Sequence, residues 1–208
     1  NYGLNHTVTT EQYHSVKPMC YPDLPVDEQT KDMDLSTSFG AVCVMNDPLY
    51  WGRDLQILCD VIAYSDHNIP VYNACADLHY SAEYPNPRFG NGAFREAFES
   101  LYKASYGIEY EHQYKYGKPN QISYEFVEKI MTENNRKIGH GGPIEAIYMI
   151  GDNPDTDVLG AKRAGGKWKS ILTLSGLYQG GKHEADYLVE DVVEALEVIK
   201  SNHHSSSY

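Results

Sequence analysis

The chain has 208 residues, 41% of them hydrophobic, and a formal charge of −12 at pH 7. That size allows one or two domains with a buried core, while the negative charge argues against nucleic acid or an anionic membrane surface as a major partner. No apolar run in the sequence approaches the ~18 residues of a membrane helix, so no membrane span is predicted.

The first half of the chain alternates short apolar segments with connectors. Residues 8–10 suggest a short strand, and 17–38 form a Pro- and Asp-rich connector that is typical of a domain crossing. Strands are predicted over 39–45 and 69–72, each followed by a helix with one apolar face. This βαβα order predicts a small α/β unit. The two inward faces are formed by Leu55, Leu58, Cys59 and Ile62, and by Phe94, Ala97, Phe98 and Leu101.

The second half repeats this alternation. Strands are predicted over 146–150, 169–174 and 188–189, with a helix running to about Ala164 between the first two. One more helix follows Lys118 and another ends the chain. The helix after Lys118 has apolar residues near helical spacing at Ile122, Phe126, Val127, Ile130 and Met131. The last helix is predicted to turn inward Val192, Val193, Leu196 and Ile199.

The cysteines indicate a reducing environment. Cys20, Cys43, Cys59 and Cys75 have no metal-ligand spacing. Cys43 and Cys59 lie in apolar patterns and are predicted to be reduced core residues. This usage is consistent with an intracellular compartment.

The most informative segment is an apolar strand that ends abruptly in carboxylates. Gly151 lets the backbone turn, Asp152 emerges at the carboxyl edge of the predicted sheet, and Asp157 lies at the start of the next helix. Crowded carboxylates repel one another unless a cation or a positive side chain lies among them, and hard oxygen ligands suit Mg²⁺. The alternative is an acidic turn that only caps the helix.

A lysine precedes the helix of the second half. The sequence Tyr-Gly-Lys-Pro-Asn over 116–120 places Lys118 at a helix entrance. A lysine in that position often points into solvent. The pairing of Gly-Lys-Pro with a later strand that ends in Gly-Asp and a second aspartate is less common, and it favours a joint role for Lys118, Asp152 and Asp157.

Together these segments resemble the third and fourth motifs of the haloacid dehalogenase (HAD) hydrolases. The resemblance implies that Lys118 neutralises the phosphate and the nucleophilic aspartate, and that Asp152 binds Mg²⁺. Asp157 would orient the lysine or a water on the metal. The implied activity is Mg²⁺-dependent hydrolysis of a phosphate monoester through an aspartyl-phosphate, on a phosphorylated small-molecule substrate.

Further blocks extend the resemblance over nearly the whole chain, at 39–56, 87–92 and 170–178. They are similar to the class IIA subfamily named for the cat eye syndrome critical region, which implies a mitochondrial location. The implied fold is α/β, a partial Rossmann-like HAD core with a class II α/β cap. Residues 1–35 would be core and connector, 36–115 the cap, and 116–208 the carboxyl-terminal part of the core.

One expected motif is missing from the part of the sequence that precedes the cap. A HAD phosphatase needs an Asp-x-Asp at the end of an apolar strand, and the nearest imitation, Asp32 and Asp34, follows a polar segment. The chain therefore resembles the carboxyl-terminal part of a longer protein, and an amino-terminal segment or a partner chain is expected to complete the core. The alternative function is a catalytically inactive, HAD-derived structural or interaction subunit.

Substrate contacts are expected from the cap. By position, residues 73–80 match the loop that class IIA caps direct at the active site, and this makes Asp77 and His79 the polar candidates. Arg88 and Gly90 belong to a second candidate loop, in which the planar guanidinium suits phosphate or carboxylate and glycine gives backbone freedom. Either loop could equally be plain surface.

Overall fold

The computed structural model describes residues 4, 6–26, 33, 35–36, 38–139 and 141–204. These residues form two compact units: Asn1–Asn73 with Phe94–Tyr114, and Ala74–Ala93 with Lys115–Tyr208. The predicted domain boundaries after residues 35 and 115 stay a prediction. Asp32 and Asp34 lie outside the described residues.

Helices and strands alternate along most of the described chain. A short 3₁₀ turn (Pro18–Cys20) follows the first helix, and a π-helical turn (Pro154–Val158) precedes the fifth. In chain order the elements are α1 (Thr10–Val16), β1 (Val42–Val44), α2 (Trp51–Ala63), β2 (Val71–Asn73), β3 (His79–Tyr80), β4 (Arg88–Phe89), α3 (Asn91–Tyr106), β5 (Gln113–Lys115), α4 (Gln121–Lys137), β6 (Ile147–Gly151), α5 (Leu159–Ala164), β7 (Trp168–Thr173), β8 (Tyr187–Val189) and α6 (Val192–His204).

The first unit has one continuous aromatic and aliphatic core. Its sheet has the order β1-β2-β5, and β1 runs parallel to β2 with Val42 opposite Val71. Helix α2 and the part of α3 from Phe94 onward supply most of the buried side chains, so both helix faces predicted from the sequence are inward, except that Leu101 is exposed. The core includes Leu55, Leu58, Cys59, Ile62, Ile69, Val71, Phe94, Phe98 and Tyr102.

Two predictions for this unit are wrong. Residues 8–10 are not a strand, because Thr9 is the N-cap of α1: its side chain accepts from the Gln12 amide at 3.2 Å, and the Gln12 side chain accepts from the Thr9 amide at 2.9 Å. This capping box satisfies two backbone donors and starts a helix in spite of the β-branched residues. Cys43 is exposed rather than buried, because alternate side chains of β1 face outward.

The second unit contains a parallel sheet in the order β6-β7-β8. The register places Ile147 opposite Trp168 and Gly151 opposite Leu172. Helix α4 and the following α5 pack on this sheet through a buried cluster of Tyr124, Ile147, Ala161 and Trp168. The same unit contains an antiparallel hairpin of β3 and β4, which the sequence did not indicate. Because β6 and β7 run parallel with Gly151 opposite Leu172, the carboxyl ends of these two strands lie side by side.

The two long helices of this unit form where they are predicted, but their apolar faces are not inward. Helix α4 buries Tyr124, and α6 buries Ala195 with Ile199 packed beside it. Spacing identifies an apolar face, but it does not show whether another element covers that face. The residues predicted inward that are instead exposed are Ile122, Phe126, Val127, Ile130, Met131, Val192, Val193 and Leu196.

Among the described residues, no helix combines the length and the apolar character needed to cross a membrane.

The four cysteines are all free thiols. Burial raises the pKa of Cys59 to about 11, and the neighbouring charge of Asp60 adds to that rise.

Candidate functional site

Strand β6 carries Asp152 to the carboxyl edge of the sheet. Gly151 ends the strand, and a Cβ at this position would collide with the carboxylate of Asp157. Glycine is therefore needed here for space, because Asp157 folds back over the strand end. This close approach explains why the two aspartates, although separated in sequence, belong to one local structure.

The π-helical turn after β6 fixes the carboxylate of Asp157. The Asn153 amide donates to Asp157 Oδ2 at 3.1 Å, and Asn153 Oδ1 accepts from the Asp155 amide at 3.0 Å. Asn153, not an aspartate, thus caps this turn. Asp157 is 2% exposed, so the interpretation of the acidic residues as a simple solvated cap does not apply to it.

Tyr124 of α4 holds the same turn from the opposite side. Its hydroxyl lies 3.3 Å from the carbonyl oxygens of both Thr156 and Asp157, and it donates to them. Burial raises the pKa of Tyr124 to about 12, and the negative charge of Asp157 adds to that rise. The tyrosine therefore stays a neutral donor at physiological pH.

Lys118 forms ion pairs with two carboxylates. Its Nζ lies 2.6 Å from Asp157 Oδ1 and 3.5 Å from Asp77 Oδ2. Burial of Lys118 acts to lower its pKa, but the hydrogen bond and charge of Asp157, with a further contribution from Asp77, outweigh that effect and raise the pKa. The ammonium is thus protonated, and it is held between two carboxylates.

The backbone before Lys118 is shaped to place it there. Gly117 has φ +76°, a left-handed conformation that favours glycine, and a Cβ on it would approach Ala74 O to 2.5 Å. The Gly117 amide also donates to the Ser123 hydroxyl at 2.9 Å, which ties the turn to the first turn of α4. The Gly-Lys-Pro sequence therefore has a structural reason as well as a chemical one.

These side chains surround a cavity of about 300 Å³ within the second unit. The cavity is lined by Asp77, His79, Tyr80, Ser81, Lys118, Asp152, Asn153 and Leu177. One carboxylate oxygen of Asp77, Oδ1, is buried and has no hydrogen-bond partner among the described residues. The lining is mostly polar, and it brings charges of both signs together.

The predicted substrate residues separate into two groups. Asp77 and His79 line the cavity, whereas Arg88 and Gly90 do not. The Arg88 guanidinium lies 4.5 Å from the centre of the Tyr84 ring, and the Gly90 amide donates to Leu78 O at 2.9 Å. Arg88 is thus engaged with an aromatic face, and Gly90 closes the hairpin.

Four lining residues were not identified from the sequence: Tyr80, Ser81, Asn153 and Leu177. Asn153 directly follows Asp152 and could have been found from that neighbourhood. Leu177 donates its backbone amide to Asp152 Oδ2 at 2.7 Å. No side-chain pattern in the sequence signals a backbone donor of this kind.

The cavity offers only a partial set of ligands for a divalent cation. Within the described part of the chain, no three His, Cys, Asp or Glu side chains are grouped closely enough to enclose a metal ion. Mg²⁺ usually keeps several waters and takes only one or two protein carboxylates, with substrate phosphate completing its shell. Asp152, on the cavity wall with one oxygen held by an amide, fits such a partial set.

The HAD-hydrolase-like family model matches residues 115–196, which include Lys118, Asp152 and Asp157. Over 190 residues the chain is 32% identical to a cardiolipin synthase (CMP-forming)/mitochondrial hydrolase fusion protein of Schizosaccharomyces pombe, covering 85% of this chain and 31% of the relative. Over 211 residues it is 32% identical to a mitochondrial hydrolase of Saccharomyces cerevisiae, covering 84% of this chain and 59% of that relative. The chain belongs to the haloacid dehalogenase superfamily.

The fold of this HAD chain is also found in solved structures. A 4-nitrophenylphosphatase from Thermotoga maritima aligns with a TM-score of 0.55 and 19% identity, covering 91% of this chain and 71% of that one. The predicted α/β fold of the HAD type is thereby confirmed. The chain spans 31% and 59% of the lengths of the two curated relatives. Its family match over residues 115–196 supports the predicted resemblance to a carboxyl-terminal part of a HAD protein.

Proposed function

We propose that this chain supplies part of the catalytic centre of a Mg²⁺-dependent HAD phosphohydrolase. The reaction is hydrolysis of a phosphate monoester, in which water and the ester give an alcohol and inorganic phosphate. The observation that carries the proposal is the ion pair of Lys118 with the buried Asp157, on the wall of a cavity that Asp152 also lines. A lysine held in this way is a fixed positive charge for a phosphoryl group.

Each residue has a distinct role in this proposal. Lys118 binds a phosphoryl oxygen and neutralises developing charge. Asp157 keeps the ammonium charged and orients it, and Asp152 holds the cation. A bound Mg²⁺ would supply Lewis-acid stabilisation of negative charge on the phosphoryl oxygens. The nucleophilic aspartate, which would carry the phosphoryl group as an aspartyl-phosphate, comes from outside these 208 residues.

The pairing of the sheet gives a reason to propose a further strand beside β6. Strand β6 pairs with β7 and, among the residues that the structure describes, with no second strand. On α4 the apolar face is left exposed, with Phe126 at 63% and Ile122 at 51% exposure. Parallel strands are normally paired and covered on both faces. We therefore propose that an amino-terminal segment, or else a partner chain, adds the nucleophile-bearing strand beside β6.

The substrate is proposed to be a phosphorylated small molecule whose leaving group meets the hairpin side of the cavity. Asp77 and His79 are the proposed contacts there. Arg88 and Gly90 remain proposed members of the substrate loop through the hairpin that they share with β3. Since two relatives are named as mitochondrial hydrolases, we also propose an intracellular, mitochondrial location.

A second candidate is a HAD-derived subunit that does no chemistry. The observation that favours it is that residues 1–35, before the predicted cap, contain no Asp-x-Asp at the end of an apolar strand. In that case the edge of β6 that no described strand pairs and the exposed apolar face of α4 serve association alone. The two functions differ in whether Lys118 contributes to catalysis or only to folding.

The deciding experiment is an aryl phosphatase assay with Mg²⁺ on the protein completed by its nucleophile-bearing segment. Lys118→Met should lower kcat/KM by at least about 100-fold, because a preorganised charge at the reacting group is lost. The matched control is Lys167→Met, a lysine of similar exposure paired with Glu128 at 2.8 Å outside the cavity lining. Equal activity in the two variants would show that this chain does not supply Lys118 to the chemistry, and a completed wild type without activity would support the non-catalytic subunit.

The metal role has its own test. Asp152→Asn should weaken Mg²⁺ binding by about tenfold or more in calorimetry of the completed protein, because a charged ligand becomes neutral. Asp155→Asn, in the exposed part of the same turn, is the control and should bind Mg²⁺ as wild type does. An Asp152→Asn variant with wild-type affinity would remove Asp152 from the metal site.

A further inference from the structure

The turn that follows β7 contacts Asp152 directly. The Leu177 amide donates to Asp152 Oδ2 at 2.7 Å, and Leu177 also lines the cavity. A hydrogen bond from a backbone amide to a carboxylate is among the stronger kinds in proteins. The sheet brings the two together, since Gly151 and Leu172 are opposite each other at the ends of the parallel strands β6 and β7.

Gly176 leaves the space that Asp152 occupies. A Cβ on Gly176 would lie 2.5 Å from both Cβ and Cγ of Asp152, and closer still to Oδ2. Rotation of the Asp152 side chain cannot relieve this overlap, because the position of its Cβ is set by the backbone. Gly176 is not in a left-handed conformation, so the requirement concerns space and not backbone freedom.

We propose that Gly176 and Leu177 are positioning residues for Asp152: one leaves room for the carboxylate, and the other fixes one of its oxygens. The purpose of this arrangement, presenting the carboxylate to a divalent cation, rests on the proposed function. The turn acts through Asp152, and no side chain of either residue need touch the substrate.

The first test is amide hydrogen exchange of Leu177 in the 208-residue chain. Gly176→Ala should speed exchange at Leu177 by about tenfold or more, because the added methyl displaces the carboxylate that accepts its proton. The control is Gly141→Ala, since a Cβ at Gly141 meets nothing within 4 Å. Leu177 should exchange at the wild-type rate in that control. Unchanged exchange in Gly176→Ala overturns the positioning role.

A double variant covers the case in which Gly176→Ala folds poorly. Asp152→Gly removes the side chain that the new methyl meets, so it should cut the loss of stability caused by Gly176→Ala by about half or more, as expected for residues in contact. Thermal unfolding of the two single variants and the double variant measures this coupling. Simple additivity of the two changes means that the residues do not conflict sterically, and it overturns the proposal.

The metal readout separates this inference from the proposed function. In the completed protein, Gly176→Ala should weaken Mg²⁺ binding in calorimetry by about tenfold, in step with Asp152→Asn, whereas Gly141→Ala should not. A wild type that binds no Mg²⁺ overturns the proposed function and the purpose assigned to the turn. A wild type that binds Mg²⁺ with the same affinity as Gly176→Ala overturns the positioning role alone.

Discussion

Strands β6 and β7 are neighbours in one sheet, yet they lie in different environments. Strand β7 is paired on both sides, and four consecutive residues from Ser170 to Thr173 are buried, Leu172 at 0% exposure. Strand β6 is paired only with β7 among the described residues, and after Ile147 its side chains are half-buried. The strand that carries Asp152 is thus the less protected one.

Strand β7 contributes mainly to the stability of the sheet, whereas strand β6 carries a residue of the candidate site. Strand β7 supplies the centre of the sheet, and its side chains contribute mainly through burial. Strand β6 places its Asp152 end on the cavity, and its unpaired edge is where we propose that the nucleophile-bearing strand adds. If the proposed strand adds there, the site is complete only when this edge of β6 is covered.

The largest expected effect compares two isoleucines that are register partners, Ile150 on β6 and Ile171 on β7. Ile171→Ala should lower the free energy of unfolding by about 2–5 kcal/mol, because Ile171 is 1% exposed and its loss leaves a cavity. Ile150→Ala should cost less than about 2 kcal/mol in the 208-residue chain. Urea unfolding measures both. Equal costs in this chain would contradict the contrast between the strands.

The next effect concerns the ion pair at the end of β6. Lys118→Met leaves Asp157 buried without its cation, and we expect a loss of about 1–3 kcal/mol, reduced from the cost at a fully buried pair because Lys118 is 37% exposed. Lys167→Met should cost less than about 1 kcal/mol. Urea unfolding at pH 7 compares them, and a larger loss in Lys167→Met would show that burial of Asp157 does not set the cost.

The ion pair of Lys118 with Asp157 predicts that the free energy of unfolding depends on pH. The folded-state pKa of Lys118 is raised above its ordinary value of 10.5, so the stabilisation is fully present below that value and is lost as the pH rises through the higher folded-state pKa. Wild-type stability should therefore fall more steeply than that of Lys118→Met above pH 10.5. Denaturant titrations across this range provide the measurement, and parallel curves would contradict the prediction.

A smaller effect is expected at the turn that holds Asp157. Tyr124→Phe removes the hydroxyl that donates to Thr156 O and Asp157 O, and it should cost about 1–2 kcal/mol, because a buried hydrogen bond is lost. Tyr148→Phe on β6 is the control. Among the described residues, the hydrogen-bond contacts of the Tyr148 hydroxyl are long, at 3.4 Å to His203 and 3.5 Å to Asn202, so removing this hydroxyl should change the free energy of unfolding by less than about 0.5 kcal/mol.

The smallest effect on stability is expected at an exposed apolar residue of α4. Phe126→Ser on α4 should change the stability of the 208-residue chain by less than about 0.5 kcal/mol, because Phe126 is 63% exposed. In the completed protein the same change should cost about 3 kcal/mol if that face becomes buried. A cost below about 0.5 kcal/mol in both proteins would mean that the added segment does not cover α4.

The sequence predicts the elements around β6 well, because their signals are local. An apolar run ending in Gly151-Asp152 marks a strand end, and Gly-Lys-Pro before an amphipathic helix marks the position of Lys118. The family resemblance that these segments carry also implies that Lys118 and Asp157 act together, although they are far apart in sequence. Fold class follows from the same alternation of strands and helices.

Other features could not be predicted because they depend on partners distant in the chain. The strands of the β3–β4 hairpin have only two residues each, too few for a periodic pattern. The exposed apolar faces of α4 and α6 have the spacing of buried ones, since periodicity carries no information on what covers a helix. The contact of Leu177 with Asp152 uses a backbone amide, which every non-proline residue possesses.

Under the proposed function, the β3–β4 hairpin is the part of the site at which substrate preference would change. Its two residue pairs, His79 with Phe89 and Tyr80 with Arg88, form one wall of the cavity through His79 and Tyr80. The hydrogen bonds that hold Asp157 come from Asn153 and Tyr124, outside the hairpin. Substitutions in the hairpin would therefore alter the proposed leaving-group side of the cavity, while the turn that holds Asp157 keeps its own hydrogen bonds.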